Sequence, residues 1–127
     1  MIKKTFLPIT LLILLGVTGC VPRDYLREDM QKHSASLYMY KSTPTDKTYA
    51  NHREALLKII KRSTKRGDKV PPGIYAEYGF FFFKEGEYEE AKKYFSLEKE
   101  LYPESSVFMD RISSSGDRVK ANLDKGE

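Results

Sequence analysis

A helical period of apolar residues between positions 48 and 65 sets the fold class of this chain. The stripe consists of Tyr49, His52, Leu56, Ile59, Ile60 and Ser63. Residues three or four apart share one face of a helix, so the spacing predicts an amphipathic helix with one buried face. Gly67-Asp68 is expected to end this helix. No segment alternates apolar and polar residues as a half-buried strand does, so the sequence predicts an all-α domain.

The downstream residues predict three more helices. Two of them, at about 72–85 and 87–101, are parted by Gly86, and a short one at about 104–113 follows Pro103. The segment 113–116 is expected to end the last helix. The predicted helical domain is therefore 48–115, followed by a charged, frayed tail at 116–127.

The upstream segment 20–47 is polar and irregular, with prolines at Pro22 and Pro44. Its only helical period, between 24 and 40, is weak. We therefore predict a flexible tether, with Leu37, Tyr38 and Tyr40 docking on the domain.

The N-terminus has the pattern of a secretory signal. Lys3 and Lys4 precede an apolar stretch of 12 residues at 6–17, whereas about 20 are needed to span a bilayer. The next residues, Val17-Thr18-Gly19-Cys20, resemble a bacterial lipobox. This resemblance implies that residues 1–19 are removed and that Cys20 receives a diacylglyceryl thioether and an N-acyl chain, which suffice for stable anchoring. The alternative is an ordinary signal peptide with a chance cysteine.

The residue after the cysteine bears on sorting. In such lipoproteins an aspartate there favours the inner membrane, and this chain has Val21. The resemblance therefore implies the outer membrane, on its periplasmic side.

Composition excludes several classes of function. Residues 1–19 hold two lysines and no acid, so the remaining 108 residues carry 20 Lys and Arg against 18 Asp and Glu, a net charge of +2. This balance argues against a nucleic-acid binder. A single cysteine excludes disulfide scaffolds and thiolate metal sites. His33 and His52 lie apart in the sequence without a carboxylate or nucleophile at useful spacing. We therefore expect no enzyme activity, metal, small-molecule substrate or cofactor other than the lipid on Cys20.

A motif in the middle of the chain resembles the tetratricopeptide repeat (TPR), a helical hairpin of about 34 residues. The matching positions are Tyr75, Tyr78, Gly79, Phe82, Ala91, Phe95 and Pro103. The resemblance implies that Gly79 and Ala91 are small where two antiparallel helices approach closest. Glu98 departs from the pattern, which has a small residue there, so we expect the stack to end soon after it.

The chain also resembles a family of small, uncharacterised outer-membrane lipoproteins of Gram-negative bacteria with a TPR-like body. The matching segments are Leu37-Tyr38, residues 70–79 and Tyr102-Pro103-Glu104-Ser105. The genes of that family commonly lie beside a curli-secretion-channel-like lipoprotein and a second small lipoprotein. This implies envelope lipoproteins as partners, among them a curli-secretion-channel-like subunit.

Four consecutive phenylalanines, at 80–83, point to all sides of their helix. In TPR-like proteins, Ala76, Phe80, Phe83 and Lys84 would lie on the concave face. We consider two interpretations of this face. It is either covered by the helix at 48–65 or the tether, or it is a groove for a partner's helix or extended peptide.

A basic stripe runs along the predicted helix at 48–65. It consists of Lys58, Lys61, Arg62, Lys65 and Arg66. One interpretation is a solvated face whose cations favour the helix C-terminus. The other is contact with anionic lipid headgroups near the anchor.

The sequence thus predicts an outer-membrane-anchored lipoprotein that acts as an interaction or assembly subunit of a cell-envelope complex. The alternative is a lipoprotein regulator of peptidoglycan enzymes. A tether of about 15 to 25 residues has a coil dimension of only about 25 Å, which counts against this alternative.

Overall fold

The computed structural model describes residues 24–126, in which we find five α-helices and no strand. The helices are α1 (Asp24–Ser42), α2 (Asp46–Arg66), α3 (Ile74–Lys84), α4 (Tyr88–Leu101) and α5 (Ser106–Asp124), and a 3-10 turn (Pro103–Ser105) precedes α5. The all-α prediction is confirmed. The predicted signal peptide and Cys20 lie outside the described residues. Among the helices at 24–126, none is both long and apolar enough to cross a bilayer.

Each helix packs against the next one in the chain. The short connections make consecutive helices antiparallel. Between α2 and α3, for example, Tyr49 at the start of α2 meets Phe81 near the end of α3, with ring centroids 4.6 Å apart. The main core lies between α2 and α3, and a smaller cluster around Phe95 and Met109 joins α4 to α5.

Helix α2 confirms the predicted stripe. Its buried residues are His52, Leu56, Ile59, Ile60 and Ser63. It begins slightly earlier than predicted because the Thr45 and Thr48 side chains form a reciprocal capping box. Such a cap stabilises a helix by about 1 kcal/mol. The helix ends at Gly67, whose φ of 70° is the left-handed conformation that glycine adopts at low cost.

Helices α3 and α4 form the predicted hairpin. A Cβ atom at Gly79 would lie 2.9 Å from the Phe95 ring, so only glycine permits this close approach. Ala91 and Phe95 are buried opposite it. Gly86 forms the turn with a φ of 81°. The small residues therefore lie where the TPR resemblance implies, although kinship with that repeat itself stays a prediction.

The structure shows why a glutamate at position 98 replaces the small residue of the repeat pattern. Its side chain is buried, and its two carboxylate oxygens accept hydrogen bonds from the backbone N–H groups of Gly73 (2.7 Å) and Ala76 (3.3 Å). Gly73 is the N-cap residue of α3 and offers no side chain of its own. A carboxylate from α4 therefore caps the start of α3, where negative charge is also favourable.

The segment predicted as a tether at 20–47 differs in the structure, because helix α1 occupies most of it and packs along α2. The inward face of α1 mixes apolar with polar side chains, so its apolar period is weak. Leu26 and Met30 pack against the main core, while Asp29, His33 and Ser36 lie on the same face. The Asp29 side chain is only 1% exposed, and its Oδ1 atom lies 2.9 Å from Arg62 and 3.5 Å from Lys58. Leu37 and Tyr40 are partly buried as expected, but Tyr38 is 70% exposed and does not dock.

The C-terminal segment also differs from its prediction. Helix α5 continues through residues 113–116 to Asp124, so most of the segment predicted as a tail at 116–127 is helical. Gly116 does not break the helix. It lets α5 approach the hairpin, since a Cβ atom there would lie 3.0 Å from Tyr88 and 3.1 Å from Phe83. An ion pair between Lys92 and Asp117 then ties α5 to α4.

Candidate functional site

An apolar groove of about 320 Å³ lies between α3 and α5. Ala76 and Phe80 line it from α3, and Phe108 and Ile112 line it from α5. Buried Met109 also contributes to the lining. Phe80 is 45% exposed and Phe108 is 61% exposed. Two large aromatic side chains are thus partly exposed to solvent in the same groove. Apolar groups of a partner could cover them there.

The structure separates the four residues that were predicted to bind a partner. Ala76 and Phe80 line the groove. Phe83 is half-buried beside it, stacked on Phe80 at 5.9 Å and packed edge-on against Tyr88 at 5.2 Å. Lys84 points towards α1 instead, where its Nζ atom donates a hydrogen bond to the hydroxyl of Tyr40 at 2.5 Å.

Two of the four phenylalanines are used differently from Phe80. Phe81 is buried between α2 and α3, and Phe82 stacks on Tyr94 with ring centroids 5.4 Å apart. The guanidinium of Arg53 lies 4.7 Å from the Phe82 ring. The interpretation that other helices cover the phenylalanines therefore holds for Phe81 and Phe82. The interpretation as a groove holds chiefly for Phe80.

Phe108 was missed in the sequence. The signal was present, because Val107-Phe108-Met109 is an apolar run in a short predicted helix. No binding residue was predicted on that helix. The structure makes it one wall of the groove.

The predicted basic stripe divides into two groups. Lys58 and Arg62 pair with the buried Asp29, and the guanidinium of Arg66 lies 4.4 Å from the ring of Tyr25. These three side chains therefore contact α1. The other two, Lys61 and Lys65, are exposed.

A second polar cluster joins three helices. His33 of α1 and His52 of α2 place their Nε2 atoms 2.7 Å and 2.9 Å from the two carboxylate oxygens of Glu77 on α3. The Nδ1 atom of His52 lies 2.9 Å from the Ser36 hydroxyl. The expectation that the histidines stay apart, without a carboxylate, is wrong because helix packing brings them together.

The surroundings of Glu77 shift the pKa of its carboxyl group. The Glu77 side chain is 30% exposed, while His33 is 12% exposed and His52 is fully buried. Burial opposes ionisation of Glu77, but the hydrogen bonds and charge of His33 and His52 together outweigh it. The pKa of Glu77 therefore lies below its ordinary value.

In a comparison with protein families, residues 29–112 match a family model described as a domain of unknown function, DUF4810. The chain belongs to the DUF4810 family. A search of the curated proteins found no significant match. A search of the solved structures found none either.

The DUF4810 domain contains both candidate sites. It begins at Asp29, the buried acid that holds α1, and ends at Ile112, which lines the groove. His33, His52 and Glu77 all lie within it. Helix α1 therefore belongs largely to the DUF4810 domain, whereas α5 extends beyond it by residues 113–124, about three turns.

Proposed function

We propose that this protein is an outer-membrane lipoprotein, anchored through Cys20 on the periplasmic side, that acts as an interaction or assembly subunit of a cell-envelope complex. The observation that carries the proposal is the groove between α3 and α5 with Phe80 and Phe108 exposed on it. Fully burying one phenylalanine side chain contributes about 1.5 to 3 kcal/mol. A partner that covers both therefore gains a large part of its binding free energy at this surface.

The shape of the groove favours a partner segment with apolar anchors. An amphipathic helix or an extended peptide can place two or three such side chains between α3 and α5. Glu77 is the one charged residue among those that line the groove, and the others are apolar. The proposed partner is an envelope lipoprotein, with a curli-secretion-channel-like subunit as the first candidate to examine.

The start of α1 supports a position close to the bilayer. Asp24 follows Cys20 by four residues, and four residues span at most about 14 Å even when fully extended. Because α1 and α2 are antiparallel, Tyr25 at this end lies against Arg66 at the end of α2. The exposed Lys61 and Lys65 then lie towards the anchored end, where each cation adds about 1 kcal/mol of attraction to an anionic surface.

Photo-crosslinking in living cells tests the groove. A crosslinking residue is placed at Phe80 or at Phe108, and Tyr38, which is 70% exposed on α1, serves as the matched control position. We expect the same envelope protein in adducts from both groove positions and not from Tyr38. Adducts that are only intramolecular would contradict the proposal.

The anchor needs its own test. Replacing Cys20 with alanine is expected to release the protein from the outer-membrane fraction while the helical domain still folds. Membrane fractionation with circular dichroism measures both. An unchanged membrane fraction would contradict anchoring through Cys20.

A further inference from the structure

We propose that His33, His52 and Glu77 form a binding site for a divalent transition-metal ion of the Zn²⁺ class. Glu77 also belongs to the groove lining, but the metal site needs no occupant in the groove. The three side chains come from α1, α2 and α3, and their ligand atoms all lie within 4.8 Å of one another. An ion held there would join three helices at one point.

The donor set suits zinc-like ions. Two imidazole nitrogens and one carboxylate form the three-ligand set of many zinc sites, in which water supplies the fourth ligand. Imidazole favours zinc, nickel and copper, whereas magnesium and calcium prefer oxygen ligands alone. The single cysteine excludes thiolate sites only, so it does not bear on this one.

The distances allow coordination after a small adjustment. With Zn–N bonds of 2.0 to 2.1 Å, neighbouring ligand atoms of a tetrahedral site lie about 3.3 Å apart. The two Nε2 atoms lie 2.7 Å and 2.9 Å from the Glu77 oxygens, so these pairs have to move apart by about 0.5 Å. No pair of ligand atoms lies more than 4.8 Å apart, so none has to approach by more than about 1.5 Å. His52 is fully buried and fixed, while His33 and Glu77 are partly exposed and can rotate towards it. Their exposure also leaves one side open for water.

Ser36 supplies a second, independent observation. Its hydroxyl has one proton, and its oxygen lies 2.8 Å from the carbonyl oxygen of His33 and 2.9 Å from Nδ1 of His52. When the hydroxyl donates to the carbonyl, the same oxygen accepts a hydrogen bond from Nδ1–H of His52. This arrangement holds a proton on Nδ1 and directs Nε2 at the ion, as the outer partners of metal-bound histidines do.

Metal binding replaces the proton on Nε2 of each histidine, and these protons are released to solvent. Without an ion, Nε2 of His52 must carry a proton for its hydrogen bond to Glu77. The ion takes the place of that proton, which is released to solvent, and the Nδ1–H to Ser36 bond is kept. The same replacement occurs at Nε2 of His33. Metal binding and the existing hydrogen-bond network therefore need nearly the same positions of all four side chains.

Histidine-selective NMR tests the site in the full-length chain, purified in detergent. The chain has only two histidines, so the ring ¹⁵N signals report on this cluster alone. We expect the Nε2 signals of both rings to shift together on addition of ZnCl₂ and to saturate at one ion per chain. MgCl₂ serves as the negative control and is expected to leave both rings unchanged. Rings that do not respond to a several-fold excess of ZnCl₂ would overturn the proposal.

Two variants complete the test. Glu77→Gln removes the anionic ligand with little change in size, and Glu54→Gln is the matched control on the exposed face of α2. Zinc affinity is expected to fall at least about tenfold in Glu77→Gln, since even the loss of an outer partner costs 10- to 100-fold. The control is expected to bind like the unmodified protein. Equal affinity in both variants would mean adventitious binding and would overturn the assignment.

Discussion

Replacing Glu98 with alanine removes the carboxylate that caps the start of α3. The structure shows two hydrogen bonds to this group, from the backbone N–H groups of Gly73 at 2.7 Å and Ala76 at 3.3 Å. A hydrogen bond to a charged group contributes about 1.5 to 3 kcal/mol, and the longer of the two contributes less. The cost of burying the carboxylate offsets part of this gain. We expect Glu98→Ala to lower the free energy of unfolding by about 2 to 4 kcal/mol.

Chemical and thermal denaturation followed by circular dichroism measure this loss. For a domain of about 100 residues, the melting temperature is expected to fall by about 10 to 20 °C. Glu98→Gln keeps one acceptor oxygen and should lose about half as much. Glu100→Ala, on the exposed side of the same helix, is the control and should change stability by less than about 0.5 kcal/mol. Equal stability of the Glu98→Ala and Glu100→Ala variants would refute the capping role.

Three further perturbations test the packing. Asp29→Ala leaves two cations without their buried partner, so amide hydrogen exchange in α1 should accelerate, while exposed Asp24→Ala should not change it. Gly79→Ala places a Cβ atom 2.9 Å from Phe95 and should destabilise the hairpin by about 1 to 3 kcal/mol in urea unfolding. Burial first, and then the hydrogen bond to Glu85, raises the pKa of Tyr49 from 10.0 to about 12. The unfolded chain therefore loses this proton first, so stability should fall as pH rises from 10 to about 12, and less steeply in Tyr49→Phe.

The elements that the sequence predicted are those with apolar side chains at a regular spacing. Leu56, Ile59 and Ile60 revealed the buried face of α2, and the resemblance to the tetratricopeptide repeat implied the close contact of the hairpin at Gly79 and Ala91. In these cases the residues that pack together also form a pattern within one or two helices. Local spacing therefore carried enough information for the fold class and for most helix boundaries.

Helix α1 and the histidine cluster could not be predicted in this way. Asp29, His33 and Ser36 look like solvated residues until their partners on other helices are known. His33 and Glu77 are 44 residues apart in the chain, and His52 and Glu77 are 25 apart. Only the packing of α1 on α2 and of α2 on α3 makes them neighbours.

One wall of the groove, on α3, was predicted from the sequence, and the other wall, on α5, was not. Phe80 was identified because the resemblance to TPR-like proteins implies that it lies on the concave face. The other wall depends on α5, whose length was underestimated at Gly116. A glycine after three serines is typical of a helix end, and here it serves as a contact point with Phe83 and Tyr88.

Co-purification of the partner from cells measures the central claim most directly. Phe108→Asp places a charge on the groove, and Val107→Asp places the same charge on its neighbour, which is 74% exposed and not among the groove residues. We expect Phe108→Asp to lose the envelope protein that is captured by the unmodified chain, and Val107→Asp to retain it, with both variants equally helical by circular dichroism. Retention of the partner by Phe108→Asp, or equal loss in both variants, would contradict a binding site in the groove.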